Sequence, residues 1–258
     1  MSLDPVKKFP LVAALLSIVA IAALTAVLIC GGGGEVSADP GAVPIVAETP
    51  MLEPTPTTSP VPAYITIGEE RFDMSLTALV LPRKHLTDAD IVPLQYMTNL
   101  TSLSLVGNQI SDLRPLSGLT NLTSLYLSTN QISDLRPLSG LTNLTSLYLS
   151  VNQISDLRSL SSLTNLTNLG LHSNQISDLQ SLSGLTNLRS LNLANNQIND
   201  LRPLSGLTNL TSLGLLGNQI SDLRPLSGLA RLRSLTLHNN QISDWSPVAY
   251  VPDVGGRP

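Results

Sequence analysis

The sequence predicts an α/β solenoid of stacked repeats that follows one membrane helix and a linker. Three observations lead to this prediction: an asparagine that recurs every 22 residues, an uncharged run over residues 11–30, and a stretch rich in glycine and proline over residues 31–62. A fixed period in this range is typical of a stacked-repeat architecture. The recurring asparagines are Asn108, Asn130, Asn152, Asn174, Asn196, Asn218 and Asn240.

Residues 11–30 are the predicted membrane segment. At about 1.5 Å per residue, a helix of this run spans roughly 30 Å, the thickness of a hydrocarbon core. Lys7 and Lys8 precede the run. The positive-inside tendency therefore places residues 1–10 in the cytoplasm and the repeats outside the cell. The length of the run favours a retained signal-anchor and a single-pass membrane protein.

Two alternatives stay open for this segment. Small residues up to Ala38 offer a plausible cleavage site, and cleavage there would yield a secreted protein. Lipid attachment at Cys30 is the other alternative, because the Cys-Gly-Gly that begins there resembles the start of a mature bacterial lipoprotein. The preceding Ile29 departs from the small residue expected at that position.

Residues 31–62 are the predicted linker. Glycines open the segment and prolines recur along it. Proline lacks an N–H and favours extended polyproline geometry, so we expect a semi-rigid spacer that holds the folded part away from the membrane.

Seven copies of the repeat occupy residues 99–245, between an N-terminal cap with a diverged repeat (63–98) and a C-terminal cap and tail (246–258). Within one copy, Leu125 and Leu127 fall on the same face of a short strand, because side chains alternate along a strand. Parallel stacking of the copies joins these leucines into one core. The remaining residues leave room for a short 3-10 or extended return segment.

The recurring asparagines are interpreted as scaffold. Each one follows the point where a strand turns, and its amide offers two donors and an acceptor. A column of such side chains can form a ladder that satisfies buried peptide groups of neighbouring copies.

An aspartate column runs beside an arginine column after each asparagine. Calcium requires six to eight converging oxygen ligands, which one carboxylate per copy does not supply. Charge neutralisation and capping of the turn explain the columns better, so no metal site and no cofactor are predicted. The columns are Asp112, Asp134, Asp156, Asp178, Asp200, Asp222 and Asp244, with Arg114, Arg136, Arg158, Arg202 and Arg224.

Composition and motifs exclude other functions. Charged residues make up 12% of the chain, the formal net charge is −4, and no basic tract is present, so nucleic acid is not an expected partner. The sequence contains no recognisable nucleophile–base arrangement, carboxylate pair or phosphate loop, so the chain is not expected to be an enzyme.

The pattern Leu-x-x-Leu-x-Leu-x-x-Asn-x-Ile closely resembles the leucine-rich repeat over about residues 75–248. The repeat length and the segment NQISDLRPLSGLTNLTSL are similar to the internalin type of bacterial surface proteins. This resemblance implies a horseshoe with parallel strands on its concave face and a role in recognising proteins. Internalins are usually attached at the C-terminus. The last residues here contain no sorting motif, so we expect N-terminal anchoring and do not carry over host-cell invasion.

Differences between the copies indicate which surface binds. The copies are nearly identical except at two columns that are expected to face solvent, which together are called the strand face. The first outward column, between the paired leucines, is Ser104, Tyr126, Tyr148, Gly170, Asn192, Gly214 and Thr236. The second outward column, after the second leucine, is Val106, Ser128, Ser150, His172, Ala194, Leu216 and His238.

Tyr126 and Tyr148 are the strongest candidates for contact with a partner, because tyrosine is a favoured interface anchor. The alternative is that the two rings only cover the sheet. Arg189 and Arg233 replace threonine at strand starts. The two histidines of the second column lie about 14 Å apart at strand spacing, too far to share a metal. The candidate partner-binding residues are Tyr126, Tyr148, His172, Arg189, Asn192, Leu216, Arg233 and His238.

The rest of the strand face is mostly serine, threonine and glycine, which favours modest or multivalent binding. The sequence therefore predicts a membrane-tethered extracellular module that binds a protein or another surface ligand. The alternative is a spacer protein of the cell surface without a specific ligand.

Overall fold

The computed structural model describes residues 63–257, which include the predicted repeats. The predicted cytoplasmic stretch (1–10), membrane segment (11–30) and linker (31–62) lie outside the described residues. Within the described part of the chain, no helix has the length and apolar character to cross a bilayer.

The N-terminal cap combines a hairpin with a helical turn. Its antiparallel hairpin pairs β1 (Tyr64–Ile67) with β2 (Glu70–Asp73). A short helix, α1 (Asp88–Ile91), leads into a 3-10 helix at Val92–Tyr96. The N–H and the hydroxyl of Thr87 both donate to the Asp90 carboxylate, at 2.8 and 2.7 Å, so the start of α1 is capped.

A parallel sheet of nine short strands runs through the repeats. Neighbours in the sheet are neighbours in the sequence, because each copy completes one turn of the solenoid before it forms the next strand. The strands are β3 (Ala78–Val80), β4 (Ser102–Ser104), β5 (Ser124–Tyr126), β6 (Ser146–Tyr148), β7 (Asn168–Gly170), β8 (Ser190–Asn192), β9 (Ser212–Gly214), β10 (Ser234–Thr236) and β11 (Asp253–Gly255).

The register of the sheet places equivalent residues of successive copies side by side. Leu103 pairs with Leu125, and Leu125 pairs with Leu147. The middle residue of each of these strands is fully buried, whereas its two neighbours in the strand are partly exposed. The last residue of each of these strands, which belongs to the first outward column, therefore lies on the side of the sheet opposite to the core.

The core receives seven apolar side chains from a copy. In the second copy none of them exceeds 2% exposure. One copy by itself could not cover so many apolar side chains, so the stability of each copy depends on its neighbours. The seven are Leu122, Leu125, Leu127, Ile132, Leu135, Leu138 and Leu141.

The return segments are 3-10 helices, as the short repeat predicts. In the second copy, Pro137 occupies the first turn, where its missing N–H removes no hydrogen bond. The Asp134 carboxylate accepts the backbone N–H of Arg136 at 2.9 Å and so caps the turn. The return segments are Arg114–Leu116, Arg136–Leu138, Arg158–Leu160, Gln180–Leu182, Arg202–Leu204, Arg224–Leu226 and Ser246–Val248.

The C-terminal tail adds a strand that the sequence analysis did not predict. β11 pairs in parallel with β10 although its sequence lacks the paired leucines of the repeat. Val254 is partly buried and packs against the core, as does Trp245. Gly256 has φ +103, and a Cβ there would lie 2.6 Å from the backbone nitrogen of His238. A glycine is therefore required at this position.

A residue with left-handed backbone conformation precedes every ladder asparagine. Two copies use glycine, the residue best suited to positive φ. The β-branched Val151, with φ 57, adopts a conformation that such residues rarely occupy. In chain order the left-handed residues are Gly107, Thr129, Val151, Ser173, Asn195, Gly217 and Asn239.

Candidate binding surface on the strand face

The strand face contains the two outward columns and extends beyond them. β3 and β11 lengthen the sheet at its two ends, so nine strands at about 4.8 Å give a strip roughly 40 Å long. Val80 of β3 is 65% exposed and lies beside Ser104 in the sheet register. The sequence analysis missed Val80, although its place between Leu79 and Leu81 of the diverged repeat was a usable signal.

Tyr126 and Tyr148 form a stacked pair on β5 and β6. Their ring centroids are 5.2 Å apart and their planes differ by 4°. Both residues are half-buried, and neither phenolic oxygen makes a hydrogen bond within residues 63–257. The hydroxyl of Tyr250, by contrast, donates to the carbonyl oxygen of Leu226 at 2.6 Å and links the C-terminal cap to the repeats. The pair on the strand face therefore keeps its polar ends available.

Gly170 makes room for this pair. A Cβ at Gly170 would lie 2.8 Å from Cδ1 of Tyr148 and 3.4 Å from the Ser150 hydroxyl. The Tyr148 side chain therefore leans towards β7, and the glycine is its complement in the next copy. Ser150, in a column predicted to face solvent, is only 5% exposed. That expectation is wrong for Ser150, because it lies in the crowded space beside Tyr148 and Gly170.

The C-terminal half of the strand face contains a shallow depression of about 350 Å³. It spans β8 to β10, and its middle is Gly214, where no side chain rises from the sheet. The Asn192 side chain leans over Gly214, since a Cβ there would lie 2.7 Å from its Oδ1. Leu216 and Ala194 contribute an apolar wall, while serines line the opposite end.

The histidines of the second outward column are not brought together. Nδ1 of His172 lies 3.2 Å from the hydroxyl of Ser173, while the exposed His238 contacts Gly255 of β11. Within the described residues no group of histidine, cysteine and carboxylate side chains is arranged to hold a metal ion.

Arg189 and Arg233 lie at the start of β8 and β10, two strands apart on either side of Thr211. Both side chains are exposed. Neither takes part in a salt bridge with another residue of the described range. Nη1 of Arg233 makes only long contacts, at 3.4 and 3.5 Å, with the carbonyl oxygens of Ala230 and Leu232.

The arginines of the return segments have a different environment. Each one pairs with the aspartate two residues earlier in its own copy, at 2.6 to 2.8 Å. The hydrogen bond from the Arg158 side chain, together with that from its backbone N–H, lowers the pKa of Asp156 to about 2. The corresponding bonds from Arg224 lower the pKa of Asp222 to about 2. These arginines are already neutralised within the copy.

The ladder asparagines each join two copies. Nδ2 of Asn196 donates to the carbonyl oxygens of Leu193 in its own copy and Leu171 in the preceding one, at 3.0 and 3.1 Å. Oδ1 of Asn196 accepts the N–H of Ile176 at 3.0 Å. This set of bonds, repeated along the column, satisfies backbone groups that the turn would otherwise leave buried and unpaired.

Two further ladders were missed by the sequence analysis. In the recurring Asn-Leu-Thr, the amide of Asn143 donates to the carbonyl oxygen of Thr120 at 2.9 Å. The hydroxyl of Thr145 donates to the carbonyl oxygen of Thr123 at 3.1 Å. The constant 22-residue spacing of these residues was the signal for them. Arg189, Arg231 and Arg233 interrupt these ladders, so this end of the strand face differs from the rest.

Comparison with known proteins assigns the repeats to a family. A family model for leucine-rich repeats (two copies) matches residues 98–140, 142–184, 186–228 and 208–250, which together exceed half of the chain. No curated protein matches the sequence.

Solved structures give the same result. Internalin C2 of Listeria monocytogenes is 38% identical, with a TM-score of 0.68, over 73% of this chain and 86% of that one. Internalin F of the same organism is 32% identical, with a TM-score of 0.52, over 73% of this chain and 70% of that one. A leucine-rich repeat protein of Leptospira interrogans is 28% identical, with a TM-score of 0.65, over 70% of this chain and 49% of that one.

The described residues thus form a leucine-rich-repeat solenoid, the architecture of a protein–protein interaction module. The chain belongs to the leucine-rich repeat proteins and is a bacterial, internalin-like member of them.

Proposed function

We propose that this chain recognises a protein partner through its strand face, while its N-terminal segment holds it at the outer side of the cell membrane. The stacked pair of Tyr126 and Tyr148 carries this proposal. Each ring presents an apolar body and an unbonded hydroxyl, the combination typical of interface anchors. Gly170 supports the same conclusion, because a glycine weakens a strand and is used here where it accommodates Tyr148.

The remainder of the strand face supports modest affinity. Between the tyrosines and the depression at Gly214 lie Asn168, Gly170 and His172, which offer hydrogen bonds but few anchors. Binding energy in protein interfaces is concentrated in a few aromatic and arginine side chains. A partner is therefore held at a small number of points, or by several copies of the protein acting together.

Catalysis is not part of the proposal. Leucine-rich repeat proteins of this type typically act as binding modules. The two histidines of the strand face, His172 and His238, lie three strands apart, so they do not form an acid–base pair.

The membrane location rests on the sequence of residues 11–30, which is apolar, uncharged and preceded by two lysines. The mass of the mature protein tests it. A chain that retains its N-terminal segment supports the anchor, whereas a chain that starts at Asp39 contradicts it and supports secretion. A mass that includes a diacylglyceryl group at Cys30 supports the lipoprotein alternative.

The partner is sought by cross-linking the full-length chain on intact cells and identifying the cross-linked proteins by mass spectrometry. The affinity of the purified partner is then compared for the native chain and the double variant Tyr126→Ala/Tyr148→Ala. Loss of both rings should weaken binding by at least about 2 kcal/mol, or roughly thirtyfold.

Tyr96→Ala is the matched control. Tyr96 is 51% exposed but lies in the N-terminal cap, outside the strand face. Its loss should leave the affinity unchanged. Equal affinities for all three proteins, or the absence of any saturable partner, would contradict the proposal and support a spacer role.

A further inference from the structure

The arginines of the repeats differ in whether a carboxylate of the same chain neutralises them. The five arginines of the return segments are each paired with a carboxylate of their own copy. Arg189 and Arg233 replace the threonine of the strand start and form no salt bridge within residues 63–257. Each of these arginines removes a threonine hydroxyl from the ladder and gains no carboxylate partner in return. An exposed arginine of this kind points to a function outside the fold.

The two arginines come directly before serines that line the depression over Gly214. These serines, Ser190, Ser212 and Ser234, directly follow Arg189, Thr211 and Arg233 in the chain. Two strand spacings separate the arginines, about 10 Å. An extended peptide that crosses these strands turns every second side chain towards the sheet, so residues four apart, about 13 Å, share the face that the two long arginine side chains can reach. The apolar wall of Leu216 and Ala194 lies farther along the same strands.

We infer that the β8–β10 end of the strand face binds an acidic segment of a protein partner. Carboxylates about four residues apart contact Arg189 and Arg233, and an apolar side chain midway between them, on the same face of the peptide, enters the depression over Gly214. This inference rests on the proposed function and names the chemistry of the partner. Guanidinium groups bind carboxylates through paired hydrogen bonds. These bonds fix the geometry of the contact in addition to the charge attraction.

The depression favours a protein over an anionic polysaccharide. Leu216 and Ala194 offer an apolar wall that a side chain fills and that a sulfated or phosphorylated sugar does not.

One carboxylate of the chain itself lies at this site. Asp253 of β11 is beside Ser234 in the sheet and accepts the hydroxyl of Ser234 at 3.1 Å. It should weaken the attraction of an acidic partner for Arg233. This arrangement provides a test with a predicted sign, because removal of the Asp253 charge should strengthen binding of an acidic segment.

The test selects peptides from a random library displayed on phage, with the full-length chain as target. Selected peptides should carry two acidic residues about four positions apart with an apolar residue midway between them. Synthetic versions should bind about five- to tenfold more weakly to Arg189→Ala/Arg233→Ala, an effect that shrinks at high salt. The control Arg202→Ala/Arg224→Ala removes the same charge from the return segments and should bind like the native chain.

Two further variants examine the same contact. Asp253→Asn should strengthen binding of the acidic peptides about twofold. Gly214→Thr, which introduces the residue that Thr236 places in the same column, should fill the depression and weaken binding. Peptides without acidic enrichment, or equal losses in the two double arginine variants, would overturn the inference. So would arginine-dependent binding of dextran sulfate without binding of acidic peptides, or a concentration-dependent dimer that the arginine variants abolish.

The outcomes for this inference and for the proposed function are separable. If the natural partner depends on Tyr126 and Tyr148 but not on Arg189 and Arg233, the proposed function stands and this inference fails. If the partner depends on neither pair, both fail.

Discussion

The ladder asparagine and the first outward column are only four residues apart, yet they differ in almost every respect. The ladder position is asparagine in all seven copies, whereas the first outward column contains Ser, Tyr, Gly, Asn and Thr. The asparagine bonds three backbone groups of two copies, so another residue would leave buried groups unpaired. In the first outward column, by contrast, the rings of Tyr126 and Tyr148 stack on each other. A residue that is identical in all copies is therefore required by the structure. A position whose residue differs between copies belongs to surface that can adapt to a partner.

The largest effect that tests this comparison is the loss of a ladder asparagine. Asn196→Ala leaves the buried N–H of Ile176 without a partner. It also removes one of the two asparagine amides that donate to each of the carbonyl oxygens of Leu171 and Leu193. The free energy of unfolding should fall by about 3 kcal/mol, measured by urea denaturation and circular dichroism.

Asn187→Ala is the matched control for this change. Nδ2 of Asn187 makes one exposed hydrogen bond, to the carbonyl oxygen of Thr164 at 2.9 Å. Its loss should cost less than about 1 kcal/mol, because water can replace the amide. If the two variants lose equal stability, burial of the ladder is not the reason for its constancy.

Much of the fold could be predicted because the same sequence pattern occurs in seven copies. Strand, turn and return segment recur with the same period, so an error in one copy is corrected by the others. β11 could not be predicted in this way, because Asp253–Gly255 carries no paired leucines. It depends on the glycine at position 256, whose necessity is apparent only once the chain passes close to His238.

The candidate site was predictable in position but not in shape. The period places Tyr126 and Tyr148 in one column of adjacent strands, which is sufficient to expect contact between their rings. The direction in which Tyr148 and Asn192 lean depends on side-chain conformation, which no periodicity encodes. Their glycine neighbours, and hence the depression at Gly214, therefore emerge only from the three-dimensional structure. The binding role of these residues remains a prediction.

The left-handed position before each ladder asparagine is an exception to the rule that structurally necessary positions are constant. It requires an unusual backbone conformation, and yet its residue varies between copies. Val151 has φ 57 and is 43% exposed, so it bears the conformational cost with little burial to offset it. Val151→Gly, which introduces the residue of the first and sixth copies, should raise the free energy of unfolding by about 1 kcal/mol.

Val80→Gly is the control of opposite sign. Val80 is an exposed valine in the extended backbone of β3, where glycine adds flexibility to the unfolded chain without relieving strain. Its substitution should lower stability by about 0.5 to 1 kcal/mol in the same urea experiment. A destabilising Val151→Gly would mean that the variation at this position reflects a requirement for the side chain.

The smallest effect concerns the aspartate–arginine columns, which are nearly constant among copies but exposed. Arg158 and Arg224 lower the pKa of Asp156 and Asp222 to about 2 in the folded protein, below the ordinary value of 3.8. A carboxyl group with a lowered folded pKa adds stability above its unfolded pKa. That contribution is lost as the pH falls through the folded value. Stability should therefore decline between about pH 4 and pH 2 as these carboxylates are protonated.

Arg158→Gln separates the salt bridge from the cap. The fourth copy already carries glutamine at this position, where the N–H of Gln180 still donates to Asp178 at 2.8 Å. The variant should keep the fold and the backbone hydrogen bond to Asp156, while the pKa of Asp156 moves back towards its ordinary value. Urea unfolding as a function of pH should then show a shallower decline between about pH 4 and pH 2 than in the native protein. An unchanged decline would assign the acid sensitivity to the caps. In that case the arginine column would be constant for a reason other than stability, and its surface would need to be examined for partners as the strand face is.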